Sequence, residues 1–240
     1  MPAWQLRPIM RTYPREDLVH RFFAGTGPSY DFMVNLCTFG CDQWWKRKIL
    51  SRIPPRSLEI MDQASGTGIL TFKIAQEFPR CRITGVELRR EYADIAREKA
   101  VARRIPNVEF IVGCAEQVVL NTHLDCITSS YLAKYAEIES LVKNAGQMLK
   151  KNGSLIMHDF TYPPSRLFAR VWELYFRILQ TAAGRVCPRW RTIFYELPQL
   201  LRNTRWVAEL IESLRKSVFT DITFESLTLG TAAIVTARKA

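Results

Sequence analysis

Long apolar runs are missing from this sequence. No stretch is long enough to span a bilayer, and none is written as the apolar region of a secretory leader. Histidine is scarce, with three in 240 residues. Cys37 and Cys41 have metal-type spacing, but no second cysteine pair and no nearby histidine complete a zinc site, so no metal is expected. The remaining cysteines, Cys81, Cys114, Cys126 and Cys187, are scattered over apolar segments and read as reduced core residues of an intracellular protein. Internal repeats and low-complexity tracts are also missing, which argues for one elaborated domain. Acidic residues are short: 23 Asp and Glu against 34 Lys and Arg leave a net charge of +11. That excess asks for an acidic partner, whether nucleic acid, an anionic membrane surface or an anionic substrate. No appended RNA-binding module or basic-aromatic strand platform is visible, so nucleic acid is not expected.

What is present centres on Glu59-Ile60-Met61-Asp62-Gln63-Ala64-Ser65-Gly66-Thr67-Gly68-Ile69-Leu70-Thr71. An apolar run closed by an acid, a turn of small residues and a new helical periodicity predict a buried strand, a tight turn and a helix start. Small residues let the backbone approach a ligand, and the open amides of the helix start can donate to it. No lysine follows the turn, which excludes a P-loop. The next predicted strand, Cys81 to Glu87, ends in a carboxylate about 20 residues on, where a ribose diol needs an acceptor.

Asp62-x-Ala64-x-Gly66-x-Gly68 resembles the S-adenosylmethionine (AdoMet) turn of class I methyltransferases, with Ala64 for the first glycine. Tyr30-Asp31-Phe32-Met33 through Trp45 resembles the first signature of the ubiquinone/menaquinone biosynthesis C-methyltransferase family. Val34 stands there for Asn, Thr38 for Ser and Asp42 for His. Lys151-Asn152-Gly153 through Thr161 resembles the second signature, with Asp159 for Glu. The resemblance runs in family order from about Phe22 onward and implies a Rossmann-like α/β fold. That fold is a doubly wound seven-stranded sheet with a C-terminal antiparallel hairpin and a helical insertion.

The expected organisation is a helical cap over 1–50, the AdoMet-binding core over 51–162, an insertion or lid over 163–206, and a final helix and strands over 207–240. Residues 1–20 carry Pro2, Pro8 and Pro14, which argue against one continuous helix, with Arg7, Arg11 and Arg15 among them. Strands are predicted at 108–112, 124–130 and 154–161, and a helix over Glu137–Lys150 stopped by Gly153. Within 163–206, Leu167, Val171, Trp172 and Ile178 sit among Arg166, Arg170 and Arg177. That pattern suits a packed helix with snorkelling arginines, a lid, or a membrane-facing patch.

By resemblance the cofactor is S-adenosyl-L-methionine. Asp62, Ala64, Gly66, Thr67, Gly68 and Thr71 would lie around its methionine and sugar, Glu87 on the ribose, Cys114 and Ala115 by the adenine, and Ser130 beside the fourth strand. The implied reaction is attack of a ring carbon of a prenylated quinol on the sulfonium methyl, which itself activates the leaving group. Lys134, where the family has arginine, would favour the ring phenolate, or else be a solvated surface lysine. His158, Asp159 or Tyr30 would accept or relay its proton. The implied partner is a lipid-soluble quinol, with an anionic membrane surface suiting the charge and a homodimer left open. The implied location is cytoplasmic, peripheral at the inner membrane surface. A phosphatidylethanolamine N-methyltransferase and a non-catalytic assembly partner remain the alternatives.

Overall fold

The computed structural model describes residues 14–240; the expectations for Pro2, Arg7, Pro8 and Arg11 lie outside them. Five parallel strands form most of one sheet: β1 (Glu59–Gln63), β2 (Arg82–Glu87), β3 (Val108–Val112), β4 (Leu124–Ser130) and β5 (Leu149–Phe160). They are joined by β6 (Phe219–Leu227) and β7 (Ala232–Lys239). The strand order is β3-β2-β1-β4-β5-β7-β6, and β7 runs antiparallel to both neighbours. The chain therefore reverses its winding direction between β1 and β4, the place where open α/β sheets bind ligands.

Period-two alternation sends successive side chains to opposite faces. Ile60 is in register with Ile83 and Cys126, and all three join one core cluster with Trp45, Ile49, Leu70 and Ile74. The last four come from α3 (Cys41–Leu50) and α4 (Ile69–Glu77), and α5 (Arg90–Ala102) packs beside them through Ala96 against Phe72 and Phe110. Met61 and Ile127 face the other way, toward α6 (Ile138–Met148) and α9 (Trp206–Arg215) with Leu141, Met148, Trp206 and Leu210. Trp206 is fully buried, and its indole N–H donates to the Phe160 carbonyl at 2.8 Å, so its polar edge is not stranded.

Over the carboxyl ends of the strands lies an aromatic cap. It joins α1 (Pro14–Phe23) and α2 (Tyr30–Cys37) to α7 (Arg166–Val186) and α8 (Arg191–Asn203) through Phe22, Met33, Leu179, Trp190, Ile193 and Phe194, with Tyr135 in the same cluster. N-terminal helices and insertion thus share one cluster.

The α6–β5 boundary differs most from the sequence reading. The chain leaves α6 at Leu149, which is extended, rather than at Lys150. Pairing of Leu149 with Leu124 captures the segment for β5, and the residues before Ser154 bulge out to restore register. Asn152, not Gly153, takes the left-handed conformation (φ 64°). Gly153 is required by close approach: a Cβ there would lie 2.9 Å from the Lys150 carbonyl oxygen and 3.2 Å from that of Leu124.

Candidate active site

A cavity of about 560 Å³ opens at the carboxyl ends of β1, β2 and β4, a size ordinary for a small-molecule site. Of the expected cofactor residues, Ala64, Gly66, Glu87, Cys114, Ala115 and Ser130 line it, together with Tyr30. The turn after β1 is left-handed at Ala64 (φ 55°) and Gly66 (φ 58°). Glu87 is buried at the end of β2. Its Oε2 accepts from the Gly66 amide at 2.8 Å and its Oε1 from the Arg89 amide at 2.9 Å. Burial raises its pKa, and these two bonds and the Arg89 charge work against the rise. The set fits an adenosine ligand. A Cβ on Gly66 would stand 3.9 Å from Tyr30 and from Tyr92, in the cavity's own space. The Glu87 oxygens keep lone pairs for a diol. The Cys114 thiol donates to Glu116 Oε2 at 2.9 Å.

Asp62, Thr67, Gly68 and Thr71 are not brought to the cavity wall. They form its foundation. Asp62 accepts hydroxyl bonds from Thr71 at 2.7 Å and Thr128 at 3.1 Å, and burial pushes its carboxyl up to about 6. The Thr67 hydroxyl donates to Asp31, which also pairs with Lys99 at 2.7 Å, so the turn is tied to α2 and α5.

A second cavity of about 460 Å³ lies under α2, α7 and α8. Its wall is aliphatic and aromatic, with a few thiols and hydroxyls. Lys134 is the one charged residue lining it among those described. Lys134 is no surface lysine. Its side chain is 3% exposed and pairs with the fully buried Asp159 at 2.7 Å. Nζ also donates to the Tyr131 carbonyl at 2.9 Å and sits 4.3 Å from the Tyr135 ring centroid. Asp159 accepts from the Lys134 and Phe160 amides at 3.0 and 2.7 Å. Burial pulls the lysine pKa down and the aspartate pKa up, while the pair's own attraction opposes both.

Asp159 and His158 line neither cavity. Both stand one side chain back: Asp159 contacts Lys134 of the apolar cavity, and His158 contacts Ser130 of the first cavity. His158 Nδ1 is 3.0 Å from Ser130 Oγ. Burial and the charges of Lys46 and Lys134 hold the imidazole pKa well below its usual value, so the ring is neutral.

The two cavities share Phe23, Tyr30, Tyr131 and Tyr135. This common aromatic wall is what the sequence reading missed, apart from Tyr30. Its signal was the i, i+4 tyrosine pair around Lys134, directly after β4. Tyr131 is left-handed (φ 73°) and stacks on Phe160 at 4.6 Å. Its hydroxyl donates to Asp42 Oδ1 at 2.7 Å.

The model of the ubiE/COQ5 methyltransferase family matches residues 11–239. A demethylmenaquinone methyltransferase of Bacteroides fragilis is 21% identical over 242 residues, covering 99% of each chain. One of Thermus thermophilus is 27% identical over 219 residues, covering 88% of this chain and 97% of its own. The mitochondrial 2-methoxy-6-polyprenyl-1,4-benzoquinol methylase of Caenorhabditis elegans is 24% identical, covering 92% of this chain and 79% of its own. Among solved structures, a Haemonchus contortus phosphoethanolamine N-methyltransferase 2 superposes with a TM-score of 0.68 at 14% identity, over 95% of this chain and 60% of that one. The pyocyanin biosynthetic protein PhzM gives 0.63 at 14% identity, over 93% and 61%. This chain thus spans about three fifths of either structure's length, and the likeness is one of fold: a Rossmann-like class I methyltransferase sheet.

Proposed function

This chain belongs to the ubiE/COQ5 methyltransferase family, and we propose that it methylates a ring carbon of a lipid-soluble quinol in quinone biosynthesis. It is an AdoMet-dependent methyltransferase. Bound AdoMet supplies a methyl group on a sulfonium centre. Ala64, Gly66, Glu87, Cys114, Ala115 and Ser130 would hold it. The observation that carries the reading is the apolar cavity, which meets the cofactor cavity across a shared aromatic wall and has Lys134 as its one ionisable amine among the described residues.

Lys134 Nζ is where the proton work falls. A quinol ring carbon becomes nucleophilic when its neighbouring hydroxyl ionises. With the pair's proton on Asp159, the Lys134 amine can take the quinol O–H proton and leave an ammonium beside the phenolate. The surrounding rings exclude water, which strengthens that contact. A charged amine headgroup would find no carboxylate lining the cavity among the described residues, so phosphatidylethanolamine is the poorer acceptor.

The test is AdoMet consumption with a demethylated quinol or phosphatidylethanolamine, followed by mass spectrometry for a product heavier by one methylene. Methylated quinol supports the reading, methylated phosphatidylethanolamine replaces it, and failure to bind AdoMet removes it. Lys134→Met should cut kcat on the order of 100-fold, with Lys134→Arg retaining more; full turnover by Lys134→Met would take Lys134 out of the reaction.

The membrane belongs to the same reading. Leu167, Val171, Leu174 and Ile178 follow one stripe of α7 and are exposed, beside exposed Arg166, Arg170 and Arg177. Phe39, 79% exposed, packs on Tyr175 and also lines the apolar cavity, as does Val171. A greasy, basic rim around the mouth suits an anionic bilayer surface from which a quinol enters. No described helix is long and apolar enough to cross a membrane.

A further inference from the structure

Tyr131, in the shared wall, is held at its backbone, its ring and its hydroxyl. Its amide donates to the His158 carbonyl at 2.8 Å, its carbonyl accepts from Lys134 at 2.9 Å, and its ring lies flat on Phe160. Its left-handed backbone is uncommon for an aromatic residue and persists only where the surroundings over-determine it. Its hydroxyl is also taken. It donates at 2.7 Å to Asp42, whose side chain is 1% exposed and pairs with Lys46, itself 3% exposed. Lys46 lies 4.9 Å from the Tyr131 ring centroid. Neither Asp42 nor Lys46 lines either of these two cavities.

A buried ion pair is an expensive way to fill a core, since apolar residues of the same volume are often as stable. What this pair supplies is a fixed acceptor for one phenol at the boundary between the methyl donor's cavity and the acceptor's. We propose that Asp42, held by Lys46, is a positioning residue that acts through the Tyr131 hydroxyl. It sets the Tyr131 ring as a rigid partition and so aligns what lies on either side. This inference rests on the methyl-transfer reading above. Alignment enters the rate and not the binding: a misplacement of about 1 Å can lower turnover 100-fold. Tyr131 is not offered as a base, because its hydroxyl already donates to a carboxylate.

The experiment compares the wild type with Tyr131→Phe, Asp42→Leu/Lys46→Met and the triple variant. The double substitution replaces the ion pair with apolar groups instead of stranding one charge. The expected result is a kcat lowered by about 10- to 100-fold in each. AdoMet Kd and quinol KM should stay within about threefold, and the triple variant should be no worse than the poorer parent. Full kcat in Tyr131→Phe, losses that multiply, or losses confined to KM or Kd would overturn it. Proteins carrying 3-fluorotyrosine add a readout independent of the acceptor. The Tyr131 resonance, assigned by its loss in Tyr131→Phe, should broaden or split in Asp42→Leu/Lys46→Met. An unchanged resonance there overturns the proposal. Wild-type protein that binds AdoMet but methylates no quinol would sink the acceptor assignment instead, leaving the fluorine spectrum to decide on Tyr131.

Discussion

Asp62 is held by two hydroxyls, not by a cation in hydrogen-bond contact, and the consequence is a pH dependence of folding. Its native carboxyl sits at about 6, against roughly 3.9 in an unfolded chain. The folded form therefore keeps the proton that the unfolded form gives up. The stability Asp62 contributes is full below about pH 4 and is lost as pH rises through about 6, a change on the order of 2 to 3 kcal/mol. Asp62→Asn, which cannot ionise, should therefore gain on the wild type by that order between pH 4 and pH 7 in urea melts. A difference between the two proteins that is the same at both pH values would remove Asp62 as the source. At this scale the sequence shows residue types but not partners. Glu87 was legible as a carboxylate closing β2 beside the turn, because it follows the turn at a set spacing, and it lines the cavity there. The pairing of Lys134 with Asp159 is made by β4 lying beside β5, and the contact of Asp42 with Tyr131 by α3 lying over β4. Neither pairing has a local signature.

Among the elements, β3 and β4 were readable to the residue, since each is an apolar run between clear breaks. The end of α6 was not. Lys150-Lys151-Asn152-Gly153 has the basic last turn and glycine of a helix stop, and local chemistry favours that ending. Tertiary pairing with β4 overrides it, and the glycine serves closeness instead of a positive φ. The two residues should then respond unequally to substitution. Gly153→Ala would push a methyl against two backbone carbonyls and cost about 1 to 3 kcal/mol. Asn152→Gly, at φ 64°, should be within about 1 kcal/mol of neutral. Equal losses in thermal melts would remove the close approach at Gly153 as the source of the difference. The same competition explains α7: its apolar periodicity was plain, but which side lines a cavity depends on α2 and α8 lying opposite.

At the scale of the molecule, the excess of basic charge and the exposed apolar stripe of α7 make one prediction together. Wild-type protein should float with vesicles containing anionic lipid and much less with neutral ones, and added salt should weaken the association. Arg166→Glu/Arg170→Glu/Arg177→Glu should abolish flotation. It should leave turnover of a short-tailed, water-soluble quinol within about twofold, since a substrate in solution does not depend on the surface field. Flotation unchanged by the triple substitution would place the contact elsewhere. The sheet order carries a different consequence. β7 lies between β5 and β6 but is synthesised after both. Until Ala232 to Lys239 have been made, the parallel half of a growing chain ends in a β5 edge that no other strand among the described residues pairs with. In that interval the sheet offers an unpaired strand to any neighbouring nascent chain.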